Sequence, residues 1–110
     1  MIYSISYVWE KFSEAVRTLV RGSDSIQERL FNAVAFNNFV GLEAVDWETG
    51  TENLKKDFLE LMEKISEKEA SGNEGRWKAT LSEMSEEEAS ELAEKILYLY
   101  DEICSVKYGK

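Results

Sequence analysis

The chain has 110 residues, of which 44% are apolar and 12% aromatic, so it is long enough for one domain, 1–110, with a real core. It has no histidine and one cysteine, which excludes Ser-His and Cys-His nucleophilic pairs, histidine-containing zinc sites, the Glu-x-x-His di-iron motif and an intrachain disulfide. With a net charge of −9 the chain is expected to repel nucleic acid rather than bind its phosphates.

That charge is unevenly placed. Over residues 1–41, Glu10, Glu14, Asp24 and Glu28 balance Lys11, Arg17, Arg21 and Arg29, so the rest of the chain carries the whole −9. No proline and only six glycines, with abundant Glu, Lys, Leu and Ala, point to an all-α protein.

The first helix is expected from about Ser4 to Arg21. Ile5, Val8, Trp9, Phe12, Ala15, Val16, Leu19 and Val20 recur at helical spacing and make one broad apolar face. Gly22 follows, where a left-handed terminating residue is wanted, and Arg17 and Arg21 suit the negative end of the helix dipole.

Ser25-Ile26-Gln27-Glu28 spells a capping box and opens a second helix. It is expected to reach about Val40, with Gly41 stopping it. Leu30 to Phe36 is apolar on nearly all sides apart from Asn32, so this helix is expected to be the most buried. Asn37 and Asn38 belong near an end of the bundle, where an amide finds water or a carbonyl. Residues 42–51 form a longer connection, with Trp47 folding back over the core. Asp46 to Asp57 has the length of a calcium loop, but Gly50, Thr51 and Leu54 stand at positions where that loop needs other residues.

A third helix begins after Thr49 or Thr51 and runs to about Ala70. Leu54, Phe58, Leu61, Met62 and Ile65 mark its inner face, and residues 71–75 break it. A loop or short helix then precedes the fourth helix, which has Ser85 as N-cap, Glu88 to complete a capping box and Met84 as a staple. Leu92, Ile96, Leu99, Ile103 and Val106 form its inner stripe, widened by Ala89, Ala93, Leu97, Tyr100 and Cys104. It frays around Tyr108 to Lys110. Four such helices make a four-helix up-down bundle the expected architecture.

Glu87-Glu88-Ala89-Ser90-Glu91 spells EExxE, which resembles the first magnesium motif of the all-helical MazG-type nucleotide pyrophosphohydrolases. That resemblance implies a carboxylate-dependent magnesium hydrolase. The family also needs a second acidic motif on a following helix, and here no such helix follows Asp101 and Glu102. Carboxylates in a first turn are also what the helix dipole favours. No catalytic, cofactor or metal site is therefore expected.

The candidate residues are those suited to a protein partner. Arg76, Trp77 and Lys78 form a basic-aromatic island between two acidic helices. Either it binds a partner, or Trp77 is a lid on the bundle and the two cations neutralise nearby glutamates. Tyr98, next to Asp101 in an acidic setting, is a second candidate contact. The expected function is a non-enzymatic protein-binding or regulatory factor. The alternative is an acidic inhibitor of a basic nucleic-acid enzyme, in the manner of an immunity protein, antitoxin or phage inhibitor. The N-terminus has no basic region followed by an apolar run, and no segment approaches the length of a membrane span, so a cytoplasmic protein is expected. The expected partner is another protein, and the acidic charge suits a basic one. A homodimer built on the apolar second helix is the other possible assembly.

Overall fold

The computed structural model describes residues 1–70 and 72–109. Ser71, expected in the breaker, and Lys110, expected in the frayed end, lie outside the described residues, as does the side chain of Glu74. The described chain is all-α apart from two very short strands. Its elements in order are β1 (Ile2–Tyr3), α1 (Ile5–Arg21), α2 (Ile26–Ala35), α3 (Phe39–Ala44), β2 (Asp46–Trp47), α4 (Glu52–Ile65), α5 (Gly72–Ser82) and α6 (Glu86–Tyr108).

The start of α1 follows from its sequence. Ser4 is the N-cap, and its hydroxyl accepts the Tyr7 N–H at 3.2 Å. The end of α1 does not follow the expected route. Gly22 is extended (φ −68°, ψ 147°), not left-handed. In the last turn of α1, Leu19 O is instead met by Arg29 of α2, whose Nη1 donates to it at 2.7 Å, while Nε donates to Asp24 O in the connection at 3.0 Å. A Cβ on Gly22 would lie 2.6 Å from the Arg29 stem, so glycine here gives that arginine room to cross. Arg29→Ala is expected to cost about 1–2 kcal/mol, because charge-assisted bonds to one helix-end carbonyl and one connection carbonyl disappear. A urea midpoint unchanged from the parent protein would rule this cap out.

The expected second helix is in fact two. It breaks after Ala35, and Asn38 takes the left-handed conformation (φ 56°) between α2 and α3. Gly41 therefore lies inside α3 rather than stopping a helix. A Cβ at Gly41 would meet the Asn38 amide at 2.6 Å. The three asparagines explain the break, since short amides tolerate the left-handed region and compete for backbone groups. Asn37 donates to Ala33 O at 2.7 Å, and Asn38 donates to the Tyr7 hydroxyl at 2.8 Å and the Tyr3 hydroxyl at 3.3 Å. Nor is α2 apolar-buried all round. Leu30, Ala33 and Val34 are buried, but Phe31 and Ala35 are only half-buried, and Phe36, the C-cap residue, is 75% exposed.

β1 and β2 pair in parallel, with Ile2 opposite Asp46 and Tyr3 opposite Trp47. Glu48 extends the join: its N–H donates to Tyr3 O at 2.9 Å, and its carboxylate accepts the Ile5 N–H. Trp47 does fold over the core. It is buried, and its Nε1 donates to Leu42 O at 3.0 Å.

Helix α4 ends at Ile65, short of Ala70, because the following residues serve α5. The Ser66 hydroxyl accepts the Trp77 indole N–H at 3.0 Å, and Lys68 N–H donates to the Thr80 hydroxyl at 2.9 Å. The sequence allowed for a loop or short helix before the last one, and α5 is that helix, but it begins at Gly72 and so takes in residues 72–75, expected in the breaker. The opening of α6 is as expected: Ser85 Oγ accepts Glu88 N–H at 3.1 Å, and Glu88 returns the bond to Ser85 N–H at 3.2 Å.

The arrangement departs from a plain four-helix bundle. α6 packs on α1, α2 and α4, while α5 packs on both α2 and α4. The centre of the core is aromatic. Phe58 lies 5.7 Å from Phe12, 5.4 Å from Phe39 and 5.2 Å from Trp47, ring centre to ring centre. Cys104 is half-buried rather than fully in the core. No helix among the described residues is long and apolar enough to cross a membrane.

Candidate functional site

The basic-aromatic island is divided by the helix that carries it. Trp77 points into the core, 1% exposed, with its indole N–H bonded to Ser66. Arg76 and Lys78 flank it on the chain and are exposed. The ion pairs among the described residues join Arg17 to Glu14 and Lys68 to Glu83, and involve neither of these cations. Lys78 edges a groove of about 340 Å³ between α2 and α5, with Phe31, Leu81 and Gln27. The three residues thus form no single surface.

Tyr98 and Asp101, in contrast, come together. Along α6 each residue turns by roughly 100°, so the buried stripe Leu92, Ile96, Leu99 and Ile103 fixes one side of the helix. Tyr98 and Leu97 fall about 130° to either side of that stripe, and Glu94 and Asp101 fall nearly opposite it. Leu97 was expected to widen the inner face, yet it is 54% exposed, and Tyr98 is 62% exposed. Leu97, Tyr98, Glu94 and Asp101 together line a shallow depression on this outer face.

Helix α4 completes the surface. Asp57, Glu60 and Leu61 face Tyr98 and Leu99 across a groove of about 260 Å³ between α4 and α6. The sequence marks Leu61 as an inner-face residue and Asp57 only by its spacing from Asp46, and neither they nor Glu60 as site residues, because only the packing of α4 on α6 brings them near Tyr98. The signal for Leu97 was available, as its register is set by the buried stripe.

The electrostatics of the groove are graded. The Tyr98 hydroxyl is held above the ordinary phenol pKa, chiefly by the charge of Glu102 and more weakly by that of Asp57. At the other end, Lys64 of α4 and Lys95 of α6 line the groove together, and Lys95 is pulled below the usual lysine value by Lys64 beside it. One end is therefore anionic around an exposed ring, and the other carries two lysines, with Glu60 and Glu91 acting on Lys95.

The remaining acidic stretches are taken up locally. Glu88 of EExxE closes the capping box of α6. In the stretch with calcium-loop spacing, Glu52 accepts the Gly50 N–H at 3.0 Å and Glu48 accepts that of Ile5. Among the described residues no three acidic or cysteine side chains are grouped so as to hold a metal ion. Comparison with protein-family models, curated proteins and solved structures gave no match.

Proposed function

We propose that this protein is a non-enzymatic binding factor that engages another protein through the α4/α6 face centred on Leu97 and Tyr98. The observation that carries this reading is the pairing of an exposed leucine and an exposed tyrosine on the outer side of the helix that organises the core. Tyrosine is among the residues that supply most of the binding energy at protein interfaces, where a polar rim surrounds a small apolar centre. Glu94, Asp101 and Asp57 supply such a rim here.

The scaffold is read as an up-down bundle of α1, α2, α4 and α6 to which α3 and α5 are added, and the protein as cytoplasmic, with Cys104 a free thiol. Tagged protein, added to an extract of the source cells, is expected to retain a specific protein. The Leu97→Ser/Tyr98→Ala double variant is expected to lose it while keeping the parent's circular dichroism. Undiminished retention by that variant rejects this face as the binding site.

A second reading has its own support. The net charge lies wholly beyond residue 41 and the acidic end of the groove surrounds Tyr98, which suits an inhibitor of a basic nucleic-acid enzyme. Under that reading the retained partner is a basic enzyme, salt weakens the complex steeply, and the enzyme loses activity when bound.

A further inference from the structure

The charge around Tyr98 narrows the kind of partner this face accepts. The ring stands between two depressions. On the α4 side it is met by Asp57 and Glu60, and on the α6 side by Glu94 and Asp101. An exposed aromatic face attracts a cation through its ring quadrupole, and carboxylates beside it add the opposite charge and accept hydrogen bonds.

We propose that Tyr98 is the centre of a cation-recognition surface that takes a basic segment of a partner protein, with one cationic side chain on each side of the ring. This rests on the protein-binding role of the α4/α6 face and specifies the chemistry of what it binds. The carboxylates Asp57 and Glu60 receive one cation, and Glu94 and Asp101 receive the other. Glu102 deepens the negative field at the Tyr98 hydroxyl.

Charge bears on both position and occupant. Lys64 and Lys95 line the groove beyond Glu60, and although Glu60 and Glu91 offset part of the Lys95 charge, the two lysines disfavour a further cation there, so the Tyr98 end is the better place for the basic groups. A second copy of this chain is the competing occupant, since a two-fold contact can set these carboxylates against the copy's Lys64 and Lys95. Sedimentation at two concentrations separates the two, and a dimer lost on Tyr98→Leu overturns the proposal. Nucleic acid and acidic peptides are repelled by the carboxylates around the ring.

The probe is an alanine-rich helical peptide with blocked ends and two arginines four residues apart. Its control carries citrulline in place of each arginine. Binding is followed by fluorescence anisotropy, and the Tyr98 ring by its NMR shifts. The diarginine peptide is expected to bind at low salt and to move the Tyr98 ring signals, while the citrulline peptide does neither. Asp57→Asn/Glu60→Gln and Glu94→Gln/Asp101→Asn should each weaken binding about threefold or more. Glu86→Gln/Glu87→Gln, with the same change in net charge away from the ring, should leave it nearly unchanged. Tyr98→Phe keeps the affinity, and Tyr98→Leu lowers it by about two- to fivefold.

Equal weakening by the Glu86/Glu87 pair, dependence on only one of the two carboxylate pairs, or no binding of the peptide overturns the proposal. If the peptide fails but the extract partner still depends on Leu97 and Tyr98, the docking face stands and its cation chemistry is wrong. If the partner ignores those residues, the docking face itself is wrong.

Discussion

Phe58→Ala is expected to lower stability by about 3–5 kcal/mol, a large share of the roughly 5–15 kcal/mol available to a domain of this kind. Phe58 has no exposed surface, and its ring touches Phe12, Phe39 and Trp47, so truncation leaves a cavity walled by three aromatic rings. Those rings come from α1, α3 and β2, and Phe58 itself from α4. They cannot close the gap without moving the elements that carry them. Phe58→Leu retains most of the volume and is expected to cost less than half as much. Denaturant unfolding followed by circular dichroism measures both. A loss under about 1 kcal/mol for the alanine variant would mean that the site collapses freely.

Trp77→Ala is the second large effect, again about 3–5 kcal/mol. The indole is almost completely buried and its N–H is satisfied by Ser66. Removing it takes away the main anchor of α5 and leaves the Ser66 hydroxyl without that donor. Trp77→Phe keeps most of the apolar contact and isolates the hydrogen bond, with an expected cost of about 1–2 kcal/mol beyond the lost volume. Tryptophan fluorescence at the folded baseline adds an independent readout, since Trp77 is the buried indole of α5. If Trp77→Ala leaves the denaturant midpoint in place, Trp77 is not what holds α5 to the core.

How much of this was legible in the sequence depended on whether the determining groups were neighbours along the chain. The Ser85–Glu88 capping box is a four-residue device, and it formed as its spelling indicates. The helical spacing from Ile5 to Leu19 likewise placed Val8, Phe12 and Ala15 in the core. The end of α1 was not legible in this way, because its cap is Arg29 of the following helix and Gly22 only makes room for it. The break at Asn38 was signalled by the clustered asparagines, but Gly41 offered a stronger conventional stop three residues later. The β1–β2 pair gave no signal at all. Two residues show no alternation, and their partners are distant in the chain.

The candidate site followed the same rule. Tyr98 and Asp101 are close on one helix and meet on its outer face, as their spacing allows. Arg76, Trp77 and Lys78 are adjacent in sequence, and adjacent helical residues point in different directions. Asp57 and Glu60 join the surface only through tertiary packing of α4 on α6. Leu97 lies outside the core because its angle from the buried stripe, and not its apolar character, decides which side of α6 it occupies.

The place of α6 also bears on how the chain matures. A ribosome delivers α1 first and α6 after every other described element, yet α6 packs directly on α1. The join includes a 3.2 Å bond between Ser13 and Tyr100, and Trp9 meets Tyr108 edge to face. During synthesis the apolar side of α1 therefore waits for a helix that has not yet been made. Domains whose closing contacts arrive last spend longest with sticky surface uncovered. For this protein the vulnerable period ends when α6 clears the exit tunnel, and any pause in translation before that point prolongs it.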